Sequence, residues 1–258
     1  MPRLTTAIQK GGTGKTTTAI NIGAVYAEDG KDVLFIDLDP QGGLTEGIGL
    51  GDEYKNDEHI GTVLLEEGEA DFDGLIKERD PFDVVPASPE MYNLSEELGQ
   101  DRAWFKRLDK ALEELDGQYD WVIIDSPPEL NRVSDSALIA AKNVVIPIKV
   151  EEPSVRGVEI MLKEQIKPIR EDLESDVEIV GIVPNETLNS NERDRVLDGI
   201  EDAFSDELTP EVRRRVDINR AWREGKTLFE YDPENDMCDR YREIAEHIRE
   251  KLVKKNVV

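Results

Sequence analysis

A glycine-rich segment with two lysines follows the first apolar run of the chain and has the residue types of a phosphate-binding loop. Residues 9–17 read Gln-Lys-Gly-Gly-Thr-Gly-Lys-Thr-Thr. Glycines let backbone N–H groups turn toward an anion, and a helix that begins near Lys15 would add its positive end. The Lys15 amine can reach the β- and γ-phosphates of a nucleotide, the Thr16 hydroxyl can coordinate Mg²⁺, and Thr17 can reach the α-phosphate. The candidate nucleotide-binding residues are Lys10, Gly11, Gly12, Thr13, Gly14, Lys15, Thr16 and Thr17.

Two further apolar runs each end in an aspartate that could take part in metal and water chemistry. The run Val33–Asp37 continues Leu-Asp-Pro-Gln-Gly, which places a second carboxylate, Asp39, two residues further on. The run Trp121–Asp125 is four apolar residues closed by one carboxylate, the form of a Walker B strand. For Asp37 two roles stay open, contact with the water shell of the metal or termination of the strand. The candidate Mg²⁺ ligands are Thr16, Asp39 and Asp125.

The elements that must position these residues follow from the alternation of apolar and amphipathic segments. Strand-like runs are predicted at residues 4–9, 33–37, 82–86, 121–125, 143–150 and 177–184, and helices at 15–28, 102–115, 154–169 and 238–253. Continuous apolar strands separated by helices indicate a three-layer α/β/α fold with a mostly parallel central sheet, as a single domain over 1–258. Ligands of such sheets bind at the carboxyl ends of the strands, where the glycine-rich loop and the aspartates fall. The polar stretch 50–59 is predicted to be a loop.

The composition is strongly acidic and excludes several classes of protein. Asp and Glu number 58 against 32 Lys and Arg, which gives a formal net charge of −26 over 258 residues. The acid is spread along the chain, including residues 66–73 and 96–116, and we interpret it as the solvated surface of a halophilic protein. One cysteine, Cys238, excludes an intrachain disulfide framework and multi-thiolate metal sites. Residues 1–15 do not have the pattern of a signal peptide, and no apolar run approaches the roughly 18 residues that span a bilayer, so a cytoplasmic protein is expected.

The loop sequence resembles a known family through its departure from the plain nucleotide-binding pattern. Gln9 stands where G-x-x-x-x-G-K-[ST] requires glycine, and an extra lysine, Lys10, precedes the glycines. The string Lys-Gly-Gly-Thr-Gly-Lys-Thr-Thr is similar to the deviant Walker A motif of the ParA/MinD family of P-loop ATPases. The Asp-Leu-Asp-Pro-Gln-Gly string at 37–42 and Asp-Ser-Pro-Pro at 125–128 resemble the two switch regions of its ParA branch.

The resemblance implies an ATPase that hydrolyses ATP to ADP and phosphate with Mg²⁺. In the family the extra lysine acts in trans across a nucleotide-sandwich homodimer, which implies catalytic roles for Lys10 and Lys15. By the same resemblance, Asp39 orients or activates the attacking water, and Asn185, after the strand at 177–184, contacts the adenine base. An asparagine in a turn is an equally good interpretation of Asn185.

The resemblance also implies partners, and it is closer to Soj-type ParA proteins than to MinD. Such proteins bind DNA without sequence preference and work with a ParB-like or adaptor protein, so nucleoid association in the ATP-bound state is expected. Residues 213–226 carry six basic and two acidic residues on an otherwise acidic chain, with Arg214 and Arg223 as candidate DNA contacts. Pairing of these arginines with nearby acids is the alternative. Arg213 and Arg215 depart from the family's pattern, in which proline and asparagine stand at these positions.

Two other functions stay open at this point. A MinD-like, membrane-associated positioning ATPase would need an exposed amphipathic C-terminal helix. The segment 249–258 is short and has no aromatic residue, so we expect it to pack on the core without stable membrane insertion. A P-loop ligase or kinase of the dethiobiotin synthetase type would share the loop, but Lys10 and the Asp-Pro-Gln string argue against most of these enzymes.

Overall fold

The computed structural model describes residues 1–55, 59–65, 72, 74–99, 103–151, 153–187 and 191–255. In these parts of the chain seven strands form one sheet in the order β3-β4-β2-β5-β1-β6-β7. All neighbouring strands are parallel except β3 and β4, which are antiparallel. The strands are β1 (Arg3–Thr6), β2 (Val33–Asp37), β3 (Lys77–Arg79), β4 (Phe82–Val85), β5 (Trp121–Asp125), β6 (Asn143–Lys149) and β7 (Glu178–Asn185).

Helices cover both faces of the sheet. One face packs against α1 (Lys15–Glu28), α10 (Val216–Arg223), α11 (Leu228–Tyr231) and α12 (Asp236–Lys255). The other face packs against α3 (Ile60–Leu65), α4 (Leu94–Leu98), α5 (Trp104–Glu113), α6 (Arg132–Ala141), α7 (Pro153–Met161), α8 (Lys167–Asp172) and α9 (Asn191–Phe204). A five-residue helix, α2 (Gly43–Gly47), follows β2, and short 3₁₀ turns lie at Glu53–Lys55 and Pro89–Asn93.

The strand sequences explain the three layers. Along β2, Val33 and Phe35 belong to one apolar core, whereas Leu34 and Ile36 belong to the core on the opposite face. Successive side chains of a strand point to opposite faces, so a continuous apolar strand requires cover on both sides. The predicted α/β/α class with a mostly parallel sheet is therefore confirmed.

Several boundaries differ from the sequence-based prediction. The first strand ends at Thr6 instead of residue 9, because the chain leaves the sheet to form the glycine-rich loop. The helix predicted at 154–169 is divided into α7, a π-helical turn at Leu162–Ile166 and α8, which has Pro168 in its first turn. Proline lacks the N–H that would continue the helical hydrogen bonds. The prediction omitted β3 and several helices, among them α6, α9 and α10.

Some predictions fall partly outside the described residues. These are the acidic segment at 66–71 and 73, residue 101 of the second acidic stretch, the start of the helix predicted at 102–115, and 56–58 of the polar stretch. The same holds for the last three residues, 256–258.

The two edge strands of the sheet, β3 and β7, are protected in different ways, β3 by its short length and charged side chains and β7 by a neighbouring backbone segment. β3, at one edge, is three residues long and reads Lys-Glu-Arg. At the other edge the segment 207–213 runs beside β7, where the Ile182 N–H donates to the Glu207 carbonyl (2.7 Å) and the Val212 N–H donates to the Pro184 carbonyl (2.8 Å).

The strand register brings the candidate residues to one level of the sheet. Asp37 at the end of β2 is paired in register with Asp125 at the end of β5, and Asp125 in turn is paired with Thr6 at the end of β1. The phosphate-binding loop begins just beyond β1. The three central strands therefore deliver the loop and both aspartates to the same carboxyl edge.

Candidate functional site

The glycine-rich loop connects β1 to α1 and leaves the first turn of the helix open to a ligand. Gly12 (φ 70°) and Gly14 (φ 92°) have left-handed backbones that favour glycine. No side chain of the described residues caps α1, whose first turn begins at Lys15 directly after Gly14. The first N–H groups of a helix have no intrahelical acceptor and carry its positive end. The loop can therefore hold an anion such as the phosphates of a nucleotide.

The two lysines of the loop occupy different environments. Lys15 is buried, with 8% of its surface exposed. The Lys10 side chain is 44% exposed and forms an ion pair with Glu151, which is 42% exposed and follows β6. Lys15 is thus part of the loop interior, whereas Lys10 lies at the molecular surface.

The predicted metal ligands Thr16 and Asp125 are in direct contact. The Thr16 hydroxyl donates to one oxygen of the Asp125 carboxylate (2.7 Å), and the Thr6 hydroxyl donates to the other (3.0 Å). Asp125 is fully buried, and burial raises its pKa to about 6, against the hydrogen bond from Thr16 and the charge of Lys15. Hydroxyl and carboxylate oxygens are the donors that Mg²⁺ prefers, so the residues fit this ion.

The described residues contain no cluster of three or more His, Cys, Asp or Glu side chains that could hold a metal alone. Mg²⁺ is commonly held by one or two protein groups together with substrate phosphates and water. The arrangement of Thr16 and Asp125 is therefore suited to a metal that binds with a nucleotide.

Asp37 has a clear role in the structure. One of its carboxylate oxygens accepts the N–H (2.9 Å) and the hydroxyl (2.7 Å) of Thr45 in α2, and the other accepts the Asp39 N–H (3.1 Å). The Thr45 oxygen also accepts the N–H of Ala87, beyond β4 (2.9 Å). Burial, followed by the charge of Asp125, raises the pKa of Asp37 to about 8. Asp37 therefore anchors the segment that carries Asp39.

Asp39 lies between this anchored segment and the loop. Its carboxylate accepts the Gln41 N–H (2.9 Å). Burial raises the pKa of Asp39, opposed by this hydrogen bond and by the charge of Lys15. Tyr54 braces the same turn, because its hydroxyl donates to the Pro40 carbonyl (2.6 Å). Asp39 is thus held near the buried lysine. Sequence reasoning missed Tyr54, which stands in the stretch predicted to be a loop.

Asn185 is buried beneath the phosphate-binding loop. Its amide nitrogen donates to the Thr13 carbonyl (3.1 Å) and to the Thr18 hydroxyl (2.9 Å). A Cβ on Gly14 would lie only 2.7 Å from this nitrogen, so the contact requires glycine there. Asn185 therefore braces the loop, a role that neither sequence-based interpretation included.

A narrow cleft extends from Gly14 and Thr17 between the end of β7 and α10. Because the cleft opens directly from the loop, it is a candidate place for a nucleoside attached to phosphates there. The arginines at the positions that depart from the family's pattern form part of its wall. The other lining residues are Asn185, Glu186, Val212, Arg213, Arg214, Arg215, Ile218, Asn219 and Tyr241.

The structure divides the basic residues of 213–226 into two groups. Four of them form ion pairs with acids, as the alternative interpretation expected: Arg213 with Glu211, Arg215 with Asp236, Arg220 with Asp217, and Lys226 with Glu224. Arg214 and Arg223 are exposed and form no ion pair with any described residue. Arg214 lines the cleft, and Arg223 ends α10.

A third lysine beside the loop was not predicted. Lys149 ends β6, and its amine lies 3.4 Å from the Glu186 carboxylate. A Cβ on Gly12 would be 3.9 Å from the same amine. The apolar run 143–150 predicted this strand, but no role at the loop was predicted for its lysine.

Comparison with known proteins identifies the family. A model described as an AAA domain, AAA_31, matches residues 3–179. The chain is 32% identical to the sporulation initiation inhibitor protein Soj of Bacillus subtilis over 244 residues, which is 93% of this chain and 95% of Soj. The chain belongs to the ParA/Soj family of partitioning ATPases. It is also 34% identical to the chromosome-partitioning ATPase Soj of Thermus thermophilus over 252 residues, or 95% of this chain and 94% of that one. As a family member it is a P-loop ATPase.

Solved structures agree with the fold. The ATP complex of a McdA variant from Cyanothece superposes with a TM-score of 0.84 at 22% identity, covering 98% of this chain and 96% of that one. Cobyrinic acid a,c-diamide synthase of Mycobacterium smegmatis, with a bound ATP analogue and magnesium, gives a TM-score of 0.80 at 29% identity, with 95% and 93% covered.

The C-terminal helix packs on the core mainly through residues that precede the segment 249–258. Within that segment Leu252 is buried, Val253 is 64% exposed, and residues 256–258 lie outside the described part of the chain. The buried apolar side chains of the helix belong to the core that also contains α1. Within the described parts of the chain, no helix combines the length and the apolar content needed to cross a bilayer. The buried residues of this face are Tyr241, Ile244, Ala245, Ile248 and Leu252.

The contacts of Thr45 generate a testable prediction. Thr45→Val keeps the shape of the side chain but leaves the Asp37 carboxylate and the Ala87 N–H without the hydroxyl. Loss of hydrogen bonds to buried groups should lower the free energy of unfolding by about 1–3 kcal/mol in denaturant titrations. In the control Thr62→Val, the lost hydrogen bond is a single one to the His59 carbonyl of a partly buried side chain, and we expect a smaller loss. Equal losses in the two variants would contradict the anchoring role of Thr45.

Proposed function

We propose that this protein is an ATP-driven dimerisation switch that hydrolyses ATP to ADP and phosphate and positions DNA or other cargo. The observation that carries the proposal is the separation of the two loop lysines. Lys15 is buried in the loop, whereas Lys10 is exposed and paired with the half-exposed Glu151. A surface lysine can exchange Glu151 for the phosphates of a partner subunit's nucleotide, so that two ATP molecules bridge a symmetric homodimer.

Different residues of the loop and its neighbourhood bind the phosphates, the nucleoside and the Mg²⁺ ion. The N–H groups of Gly11, Gly12 and Gly14 and the amine of Lys15 bind phosphate oxygens. Thr13 and Thr17 complete the wall of the loop, and the cleft beside Asn185 takes the adenosine. The Thr16 hydroxyl holds the ion directly, while the Asp125 and Asp39 carboxylates reach its water shell. When bound, Mg²⁺ neutralises charge on the β- and γ-phosphates.

Catalysis in this arrangement is mainly positioning and charge stabilisation. Asp39 is held by Asp37 and Gln41 at the mouth of the loop, from which it can orient the attacking water. The trans Lys10 and the cis Lys15 stabilise the charge of the transferring phosphoryl group. Loss of the γ-phosphate releases the segments that follow Asp37 and Asp125, and the dimer separates.

The partners follow from the family and from the basic surface. Two relatives are named chromosome-partitioning ATPase Soj and chromosome partitioning protein ParA. We therefore extend to this chain the family expectations of nonspecific DNA binding, a ParB-like or adaptor partner, and nucleoid association of the ATP form in the cytoplasm. The unpaired Arg223 and Arg214 are the candidate phosphate contacts. Because Arg214 also lines the nucleotide cleft, Arg223 gives the cleaner test of DNA binding.

A P-loop ligase is the second candidate. The observation that favours it is the likeness, at 29% identity, to the cobyrinic acid a,c-diamide synthase structure. A ligase would consume ATP only with its acceptor substrate, whereas a partitioning ATPase turns over ATP alone, so hydrolysis by the purified protein separates the two. The burial of the apolar face of α12 does not favour the MinD-like alternative.

Three variants test the switch. Lys15→Ala should abolish measurable ATP binding, Lys10→Ala should keep binding but prevent dimerisation, and Asp39→Ala should accumulate an ATP-bound dimer. Size-exclusion chromatography with light scattering, with and without ATP and Mg²⁺, distinguishes these states. Lys31→Ala is a matched control, because the Lys31 amine pairs with Asp120 at the amino ends of β2 and β5, away from the phosphate-binding loop. A wild-type protein that binds ATP and stays monomeric at every concentration would refute the sandwich dimer.

DNA binding is tested by charge reversal on α10. Arg223→Glu should weaken binding of the ATP form to random-sequence DNA by about tenfold and reduce the salt slope by about one, because phosphate contacts release counterions. Lys163→Glu makes the same charge change on the opposite face of the sheet and should leave binding intact. Fluorescence anisotropy at several salt concentrations gives both quantities, and nucleotide affinity is measured in parallel. Unchanged DNA affinity in Arg223→Glu would exclude this contact.

The halophilic interpretation of the acidic surface has its own test. Screening of repulsion among 58 acidic side chains is nearly complete by roughly 0.5 M salt, where the Debye length is only a few ångströms. A protein adapted to a high-salt cytoplasm should continue to gain unfolding free energy from about 0.5 to about 2 M KCl. Chemical denaturation at fixed pH measures this gain, and a plateau below 0.5 M would identify an ordinary acidic protein.

A further inference from the structure

The short helix α2, which follows Asp39, is held by one side chain of α10. The indole N–H of Trp222 donates to the Gly43 carbonyl (2.9 Å). A Cβ on Gly47 would lie 2.2 Å from two atoms of the Trp222 ring, so the indole packs directly on the backbone of α2. The contact therefore depends on a ring at position 222 and on glycine at 47.

The chain segments that follow α2 and α10 are joined at a second point. A Cβ on Gly225 would lie 2.5 Å from the Gly49 Cα, so the two backbones touch. Arg79 bridges the same segments, because its guanidinium donates to the Ile48 carbonyl (3.0 Å) and to the Gly225 carbonyl (3.2 Å). α2 and α10 are thus joined at two points, the Trp222–Gly43 contact and the contact between Gly49 and Gly225. The Trp222–Gly43 contact is the one nearer the candidate site.

The two helices connected by this joint border opposite ends of the nucleotide site. Ile218 and Asn219 of α10 line the cleft beside the phosphate-binding loop. In α2, a Cβ on Gly43 would lie 3.4 Å from the hydroxyl oxygen of Thr16, the candidate metal ligand. α10 therefore lies at both ends of the candidate nucleotide site. Ile218 and Asn219 line the cleft proposed for the nucleoside, and Trp222 contacts α2, which lies beside the candidate metal ligand Thr16.

We propose that Trp222 is a positioning residue that holds α2, and through it Asp39, in the arrangement required for hydrolysis. This inference rests on the proposed ATPase switch and deepens it, because it names the side chain through which α10 acts on the catalytic segment. Its indole bond ends on the first residue of α2, four residues after Asp39, so movement of that segment changes the environment of the ring. Trp222 is only partly buried and belongs to the margin of its core, which leaves room for such movement.

The test separates positioning from general stability. Trp222→Phe keeps an aromatic ring but removes the N–H donor. We expect kcat for ATP hydrolysis to fall by about three- to tenfold, the effect of losing one hydrogen bond that aligns a catalytic segment, with the Kd for ATP changed less than twofold. Trp222→His, which restores a ring N–H, should recover part of kcat.

A spectroscopic signature accompanies the kinetics. Tryptophan emission of the wild type should change on addition of ATP and Mg²⁺, and this change should be absent in Trp222→Phe. The control Trp104→Phe removes another partly buried tryptophan, which packs in the core on the opposite face, and should keep both the emission change and kcat. Gly47→Ala alone forces the indole from its place and should lower kcat. In the double variant Gly47→Ala/Trp222→Ala there is no ring to displace, so its kcat should be no lower than that of Trp222→Ala.

Each outcome bears on the inference. Loss of kcat with retained ATP affinity, with the emission change lost and partial rescue by histidine, supports it. Unchanged kcat in Trp222→Phe overturns it, and so does a parallel loss of kcat, ATP affinity and thermal stability, which would mark a merely structural role. A wild type that neither binds nor hydrolyses ATP would instead refute the proposed function, so the two failures are distinguishable.

Discussion

Two carboxylates buried side by side at the ends of adjacent strands dominate the physical chemistry of this site. Asp37 and Asp125 are paired in register and are both fully buried, so burial raises the pKa of each. Negative charge in such a place costs several kcal/mol unless donors and cations compensate it. The compensating groups come from several neighbouring elements. They are the hydroxyls of Thr6, Thr16 and Thr45, the backbone N–H of Asp39, and the Lys15 amine.

This shared electrostatic requirement connects parts of the chain that are distant in sequence. Thr16 belongs to the loop helix and Thr45 to α2, yet both donate to the aspartate pair. A ligand that brings a divalent cation to this edge of the sheet changes the balance for both segments at once. Because β2 and β5 end side by side, hydrogen bonds from both segments meet at one pair of carboxylates.

The sequence was sufficient for the fold class and for the positions of the loop and of the two aspartates, because each rests on a local signal. Apolar runs ending in aspartate located β2 and β5, and the order of strand, glycines and helix located the loop. It was not sufficient for contacts between residues far apart in sequence. Three hydrogen bonds illustrate this, from Asn185 to Thr13, from Thr45 to Asp37 and from Trp222 to Gly43. They arise from tertiary packing, which no spacing rule in the sequence encodes. Helix boundaries also shifted where proline interrupted a continuous apolar pattern.

The covered edges of the sheet have a consequence for how copies of the protein can meet. An uncovered strand offers a row of unpaired N–H and C=O groups that templates addition of foreign strands and, in the end, fibres. Here a three-residue strand of alternating charge closes one border, and the segment 207–213 occupies hydrogen-bonding positions along the other. Both borders of the sheet are thereby protected against the strand-to-strand pairing that leads to polymers.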